Sequence, residues 1–230
     1  MKAVKVRNAI SLAMNALVFC MVLCSMVWIL CFAAAESGGT GGVSNADNGN
    51  VNVFRYFTVD SNILAALTCL LLIPYNIKSL RRGEDAIPKW ALTLKMIGTV
   101  AVTLTFAVVM LYFIPLVGFG GGLLSGANLP LHLLCPLLAM ISFCFFERGL
   151  FVTKTRLLLG VVPAVIYGTV YLIQVIFLQN WEDFYYFNVG GFWYLTFLLF
   201  PALTYLLALA IRAVHNKFDK QPQTVEVDIA

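Results

Sequence analysis

The chain has 230 residues, of which 61% are hydrophobic and 11% are charged, and its mean hydropathy is +0.89. Soluble domains carry about 25% charged residues, so this composition excludes an ordinary soluble protein and predicts a polytopic integral membrane protein. The formal net charge of +4 does not indicate a nucleic-acid partner, because the basic residues stand at the ends of apolar segments. We expect no metal and no cofactor, because the six cysteines lie in apolar segments without metal-ligand spacing.

Six apolar segments follow one another along the chain. About 20 residues at a rise of about 1.5 Å cross the roughly 30 Å of bilayer hydrocarbon. Backbone groups in lipid must find their hydrogen-bond partners within the segment, which predicts helices. The predicted fold is therefore all-α, a single six-helix transmembrane domain over residues 1–230. Its predicted spans are about 9–35, 57–77, 91–116, 129–146, 157–177 and 192–213.

The basic residues predict the orientation of these spans. With six crossings, every lysine-rich or arginine-rich loop falls on the same side as both termini, and only Arg55 falls on the other side. The positive-inside rule then predicts that both termini are cytoplasmic. The first apolar run is longer than the 7–15 residues of a signal-peptide core, so we expect a retained anchor. The expected location is the plasma membrane.

Polar residues interrupt the second and fourth predicted spans at similar depths. Thr58 lies 20 residues before Lys78, and His132 lies 16 residues before Arg148. These separations correspond to about 30 and 24 Å of helix, so both residues are expected in the outer leaflet. Polar groups in hydrocarbon cost free energy, and a cluster of them predicts a functional site.

Helical phase predicts further polar side chains around this pair. At about 100° per residue, several small or polar residues of the second span share the face of Thr58. We expect them to orient the imidazole of His132, or to donate hydrogen bonds to a developing oxyanion or to the substrate. The candidates are Ser61 and Asn62 on the second span, Asn128 before the fourth, and Tyr171 and Gln174 on the fifth.

A threonine and a histidine are the minimum for acyl transfer. A threonine hydroxyl becomes a good nucleophile only when a base takes its proton, and neutral imidazole is the usual base near pH 7. No acidic third member is evident, because Asp60 points away from Thr58 on an ideal helix. A structural alternative also fits the spacing: Thr58 caps the helix start or bonds to a carbonyl, and His132 only packs.

The stretch FRYFTVDSNIL at 54–64, followed by Asn-x-x-x-His at 128–132, resembles the androgen-induced and androgen-dependent integral-membrane hydrolases and their prokaryotic relatives. Members of that family are intramembrane threonine hydrolases that cleave fatty acid esters of hydroxy fatty acids. The resemblance implies that Thr58 is the nucleophile, that His132 is the essential histidine, and that the partners are a lipid ester and membrane lipid. Eukaryotic members tend to carry a further histidine where this chain has Leu129, which leaves the acyl and alcohol portions open.

Two other functions fit the same sequence. A small-solute transporter or channel would bind its solute near the outer mouth with three polar residues: Asn62, His132 and Gln174. Such a path also needs polar groups in the inner half, where the sequence offers little beyond Asn15, Thr93 and Thr99. A membrane scaffold predicts no cavity between the second and fourth spans. The sequence does not predict the oligomeric state.

Overall fold

The computed structural model describes residues 2–33, 53–118 and 122–219, and these ranges are helical without strands. Wider π-helical turns extend several of the α-helices, so that α3 and α4 form one rod and α5 lies within a longer helix, Pro130–Phe146. The all-α prediction is confirmed. The helices are α1 (Lys2–Trp28), α2 (Phe57–Arg82), α3 (Lys89–Val108), α4 (Ile114–Val117), α5 (Cys135–Ile141), α6 (Lys154–Leu172) and α7 (Trp193–Phe218), with 3₁₀ turns at Val53–Arg55 and Val189–Gly191.

Within the described ranges, five helices are long and apolar enough to cross a membrane. The fourth predicted span corresponds to the shorter apolar helix Pro130–Phe146. The helices α2 and α7 continue beyond the predicted span ends at 77 and 213, to Arg82 and Phe218. Residues 34 and 35 of the first predicted span lie outside the described ranges. The five long helices are Lys2–Cys31, Phe57–Arg82, Lys89–Leu116, Lys154–Phe177 and Trp193–Phe218.

Local sequence explains both ends of α2. Thr58 is the second residue of the helix, in the first turn, where backbone N–H groups have no intrahelical partner. At the other end Gly83 adopts a φ of 73°, and its N–H donates to the Ser79 carbonyl. Glycine takes this left-handed conformation without steric penalty, and it therefore ends the helix.

The most buried helix of the bundle is α3. In the most apolar 18-residue stretch of the helix Lys89–Leu116, 61% of the residues are buried, whereas the corresponding stretches of the other four long helices are 17–39% buried. A Cβ added to Gly98 would lie 2.8 Å from Thr68 Oγ1 and 3.1 Å from Ala65 Cα. The close crossing of α2 and α3 therefore requires glycine at position 98. At Gly160 an added Cβ would lie 3.2 Å from Val100, so α6 also approaches α3 closely.

The two ends of the bundle differ in composition. At the end that carries Arg7, Arg82, Arg148 and Arg212, called the basic end, the start of α1 meets the α2–α3 loop through an ion pair between Arg7 and Asp85. The segment after Phe146 meets the end of α7 there, because Gly149 N–H donates to the Asp219 carboxylate at 3.3 Å. The opposite end, called the aromatic end, carries the turn Val53–Arg55 and the loop 178–192.

A network of polar side chains is buried near the basic end. Lys95 Nζ donates to Asn15 Oδ1 at 2.7 Å and to Cys69 Sγ at 2.8 Å, and it lies 3.9 Å from Glu147 Oε1. The same Glu147 oxygen accepts a hydrogen bond from Ser142 Oγ at 2.7 Å. Together these contacts join α1, α2, α3 and the end of Pro130–Phe146. The network consists of Ser11, Asn15, Asn76, Lys95, Ser142 and Glu147.

This network corrects two expectations from the sequence. Lys95 and Glu147 are not solvated charges at helix ends, because their side chains are 1% and 0% exposed. The inner half also holds more polar groups than Asn15, Thr93 and Thr99. The physical reason is that oppositely charged groups can be buried together, because each offsets part of the desolvation cost of the other.

An apolar layer separates the network from the aromatic end. It consists of Ala65 of α2, Val102 of α3 and Ala139 of α5, which pack together and are at most 1% exposed. Along α2 this layer lies between Thr58 and Asn76. This apolar contact lies between the two polar regions of the bundle.

Candidate functional site

A cavity of about 360 Å³ lies inside the aromatic end. Helices α2, α3, α6 and α7, the turn Pro130–Leu134 and the loop 178–192 all contribute to its wall. Small-molecule sites commonly have this form, a mostly apolar lining with a few polar groups that orient the ligand. Its polar lining residues are Thr58, Thr105, Asn128, His132, Tyr56, Tyr167, Tyr171 and Tyr185.

Thr58 enters the cavity from the first turn of α2. Its carbonyl accepts hydrogen bonds from Ser61 Oγ at 3.2 Å and Asn62 Nδ2 at 2.8 Å, which hold this turn in place. Its side chain shares the cavity wall with Tyr185, whose hydroxyl oxygen accepts the N–H of the preceding residue, Phe57, at 3.1 Å. The positive end of the helix dipole favours negative charge at this position, including the charge of a threonine alkoxide.

His132 lies in the π-helical turn Pro130–Leu134, where Cys135 N–H donates to the Pro130 carbonyl. Pro136 has no N–H to donate to the His132 carbonyl four residues earlier, and the wider turn accommodates this break. His132 Nδ1 lies 2.6 Å from the Leu123 carbonyl oxygen. Because a carbonyl only accepts, Nδ1 carries the proton and Nε2 keeps its lone pair. This is the tautomer that a general base with a free Nε2 requires.

Thr58 and His132 belong to separate helices and line the same cavity. Among the hydrogen bonds of the described residues, none joins the two side chains directly, and His132 Nδ1 is bonded to the Leu123 carbonyl. Space between them is thus left for a substrate or a bridging water. Catalytic hydrogen bonds often become short only when the substrate binds.

The predicted supporting residues Ser61 and Asn62 are not among the residues that line the cavity. Asn62 Nδ2 donates to the carbonyls of Thr58 and Leu131, at 2.8 and 2.9 Å, so both amide protons are occupied. Ser61 Oγ lies 2.8 Å from Thr105 Oγ1. These two side chains join α2 to the turn Pro130–Leu134 and to α3. They therefore hold the backbone around Thr58 in position.

Asn128 and Tyr171 do line the cavity, whereas Gln174 is not among its lining residues. Asn128 Nδ2 donates to the Gly122 carbonyl at 3.1 Å. The Gln174 side chain accepts a hydrogen bond from Asn180 at 3.1 Å, beyond the end of α6. Of the predicted supporting residues, Asn128 and Tyr171 are thus in contact with the cavity.

Tyr185 belongs to the site although it is absent from the predicted set. Phe57 N–H donates to its hydroxyl oxygen at 3.1 Å, across 128 residues of chain. Burial raises the pKa of Tyr185 to about 12, so its hydroxyl remains protonated near neutral pH. The only sequence signal was the aromatic run around 181–194, which typically indicates a belt at the membrane interface.

Gly160, Ala164 and Gly168 form a row of small residues on α6, a spacing that is typical of close helix packing. Gly160 packs in this way against Val100, but Ala164 and Gly168 line the cavity. A Cβ added to Gly168 would meet no atom within 4 Å. The outer part of the row therefore provides room in the cavity instead of a helix contact.

Among the residues that the structure describes, no group of three or more histidine, cysteine, aspartate or glutamate side chains could hold a metal ion. The candidate site therefore consists of hydroxyl, amide and imidazole groups in an apolar cavity. No protein-family model, curated protein or solved structure matches this chain.

Proposed function

We propose that this protein is an intramembrane threonine hydrolase that cleaves a lipid ester, such as a fatty acid ester of a hydroxy fatty acid. One observation carries the proposal: Thr58 and His132 line a single, largely apolar cavity, and the Leu123 carbonyl holds His132 in the tautomer with a free Nε2. The resemblance of 54–64 and 128–132 to the threonine hydrolases supports the same pair of residues.

The proposed topology has six crossings, with Pro130–Phe146 as the fourth and both termini in the cytoplasm. The distribution of cations supports it, because the basic end gathers arginines from four segments and Arg55 lies at the aromatic end. In this orientation the cavity faces the outer leaflet of the plasma membrane. Val165 of α6 lines the cavity and is also 38% exposed, which supports lateral access of a lipid from that leaflet.

In the proposed reaction, His132 Nε2 takes the proton of the Thr58 hydroxyl. The alkoxide oxygen then bonds to the ester carbonyl carbon, and the carbonyl π electrons move to the carbonyl oxygen. When this oxyanion collapses, the bond to the alcohol oxygen breaks, and the alcohol leaves with the proton held on Nε2. The product of this first half is an acyl-threonine.

Water completes the cycle: it acts as the nucleophile in the second half of the reaction, and Thr58 is the leaving group. His132 Nε2 takes a proton from the water, whose oxygen attacks the acyl carbonyl. Collapse of the second oxyanion breaks the bond to Thr58 Oγ1, and the proton on Nε2 returns to the threonine. The products are one fatty acid and one alcohol, and the enzyme is regenerated.

The test is hydrolysis of p-nitrophenyl octanoate, together with labelling by a fluorophosphonate probe, by the purified protein in detergent. We expect Thr58→Ala to lose both activities. Thr169→Ala is the matched control, since Thr169 lies on α6 outside the cavity lining and donates only to the Val165 carbonyl. Undiminished labelling of Thr58→Ala would contradict the proposal.

Two observations weigh against the other functions. A conduction path would have to pass the level of Ala65, Val102 and Ala139, which pack together and are at most 1% exposed. A scaffold predicts no cavity, whereas residues of α2 and the turn Pro130–Leu134 share one. Solute flux in proteoliposomes that persists in Thr58→Ala would support a transporter instead.

A further inference from the structure

We propose that the Tyr185 hydroxyl donates a hydrogen bond to the oxyanion that forms when Thr58 attacks the ester. Tyr185 is then a catalytic residue of the reaction proposed above, and the inference rests on that function. The observations behind it are that Tyr185 and Thr58 line the same cavity, and that the Tyr185 hydroxyl accepts the N–H of Phe57, the residue before Thr58, at 3.1 Å.

The hydrogen bonds around Tyr185 leave its proton available. Its oxygen accepts the Phe57 N–H at 3.1 Å, so its own O–H must point to another acceptor. The neighbouring oxygens are those of Thr58 and Tyr167. Tyr167 cannot be the donor to Tyr185, because its proton goes to the Arg55 carbonyl at 2.6 Å. The Tyr185 proton is thus not used by Phe57 and is available to an oxygen acceptor, and the bond from Phe57 polarises the hydroxyl further.

The position of the substrate carbonyl follows from the position of Thr58. For attack, the carbonyl carbon must lie about 3–3.5 Å from Oγ1, and the carbonyl oxygen is about 1.23 Å from that carbon. The Tyr185 hydroxyl, which the Phe57 N–H holds at the start of α2 beside Thr58, is therefore within reach of the carbonyl oxygen. Tyr185 can turn its proton from a neighbouring hydroxyl to this oxygen without moving its ring.

Two of the residues that the sequence offered as oxyanion donors, Asn62 and Ser61, are bonded elsewhere, and Asn128 is partly so. Asn62 donates both amide protons to carbonyls, and Ser61 bonds to Thr58 O and Thr105. Asn128 donates one proton to the Gly122 carbonyl. In the described part of the site, Tyr185 is the donor that also lines the cavity beside the nucleophile.

The loop that carries Tyr185 is held by hydrogen bonds from behind. Tyr185 N–H donates to the Tyr171 hydroxyl at 3.0 Å, and that hydroxyl donates to Asp183 Oδ1 at 3.1 Å. The Asp183 carboxylate also accepts the backbone N–H groups of Phe187 and Asn188, at 2.6 and 2.8 Å. Tyr171 and Asp183 are therefore positioning residues, and a fixed donor of this kind needs no reorganisation during the reaction.

The experiment compares p-nitrophenyl octanoate with its thionoester in wild type and in Tyr185→Phe. A thiocarbonyl sulfur accepts hydrogen bonds poorly, so an enzyme with an oxyanion donor discriminates against the thionoester. We expect Tyr185→Phe to lower kcat by about 10²–10³-fold with little change in KM, and to reduce the oxo-to-thiono ratio of kcat/KM. Tyr186→Phe is the matched control, because the neighbouring Tyr186 is 60% exposed.

Two results would overturn the inference. One is turnover by Tyr185→Phe within about twofold of wild type; the other is a loss of turnover with an unchanged oxo-to-thiono ratio, which indicates only a structural role. If Tyr185→Phe does not fold, 3,5-difluorotyrosine at position 185 keeps every contact and strengthens the donor. An unchanged ratio in that protein also overturns the inference. Failure of the hydrolase proposal is distinct, because it shows as turnover by Thr58→Ala.

Discussion

The cavity at the aromatic end and the polar network at the basic end are about 27 Å apart along α2, measured from Thr58 to Asn76. Both place polar side chains among membrane-spanning helices. In the network, Lys95 and Glu147 are buried together and contact polar neighbours on α1, α2 and the helix Pro130–Phe146. In the cavity, His132 and Tyr185 line the same open space as Thr58, and among the described residues only Nδ1 of the imidazole has a hydrogen-bond partner, the Leu123 carbonyl.

The difference separates polar groups that stabilise from polar groups that are available to a ligand. A buried ion pair contributes more to the specificity of packing than to stability. Removing one partner leaves the other charge buried and unpaired. A polar group that faces a cavity has no such protein partner, so it can donate to or accept from a bound substrate. Removing cavity residues should therefore affect turnover, whereas removing network residues should affect stability.

The largest expected effect is on turnover. We expect His132→Gln to lower kcat by about 10²–10⁴-fold, because glutamine cannot act as a general base. Its melting temperature should stay close to that of wild type. Hydrolysis of p-nitrophenyl octanoate and thermal unfolding followed by fluorescence measure the two quantities. Gln174→Ala, outside the cavity lining, is the control. Wild-type turnover by His132→Gln would contradict the view that the cavity residues serve turnover and the network residues serve stability.

The network should show the opposite response. Glu147→Ala leaves the Lys95 ammonium buried without its carboxylate, and we expect a loss of about 3–5 kcal/mol in the free energy of unfolding. Turnover per folded molecule should not change. The double variant Lys95→Met/Glu147→Leu should recover much of the loss, because it removes both charges. Additive losses in a double-mutant cycle would show that the two side chains are not coupled.

A pair of glycines tests the same contrast through packing. Gly98→Ala should cost about 1–3 kcal/mol, because the added methyl group would lie 2.8 Å from Thr68 Oγ1 and force α2 and α3 apart. Gly168→Ala should be neutral or slightly stabilising, since its added Cβ meets no atom within 4 Å and alanine favours the helix. Equal losses of stability in the two variants would contradict the view that position 98 is tightly packed and position 168 is open.

Composition and periodicity were enough to predict the all-α membrane bundle, because long apolar segments have few alternatives in lipid. Depth along the helices also predicted that Thr58 and His132 lie at one end. Tyr185 could not be predicted, because it comes from a loop whose contact with Phe57 depends on tertiary structure. For the same reason Lys95 appeared to be a helix-end cation, since its partner Glu147 is distant in the sequence.

The smallest expected effect concerns Asp219 at the basic end. Burial raises the pKa of its carboxyl, but the hydrogen bond from His215, the Gly149 N–H and the nearby positive charges outweigh burial and hold the pKa below its usual value. The unfolded carboxyl, with a pKa of about 3.9, then binds a proton before the folded one does as the pH falls. The contribution of Asp219 to the free energy of unfolding is fully present above the unfolded pKa. It is lost as the pH falls through the lower pKa of the folded state.

Asp219→Asn should therefore lower the unfolding free energy at pH 7 by about 0.5–1.5 kcal/mol, and its stability should change less than that of wild type as the pH falls below about 4. Thermal unfolding at a series of pH values measures both effects. Turnover near neutral pH should remain at the wild-type level, because Asp219 lies at the basic end, beyond the apolar layer from the cavity. A lower turnover in this variant would show that the two ends of the bundle communicate, and the separation drawn above between stabilising and reactive polar groups would then fail.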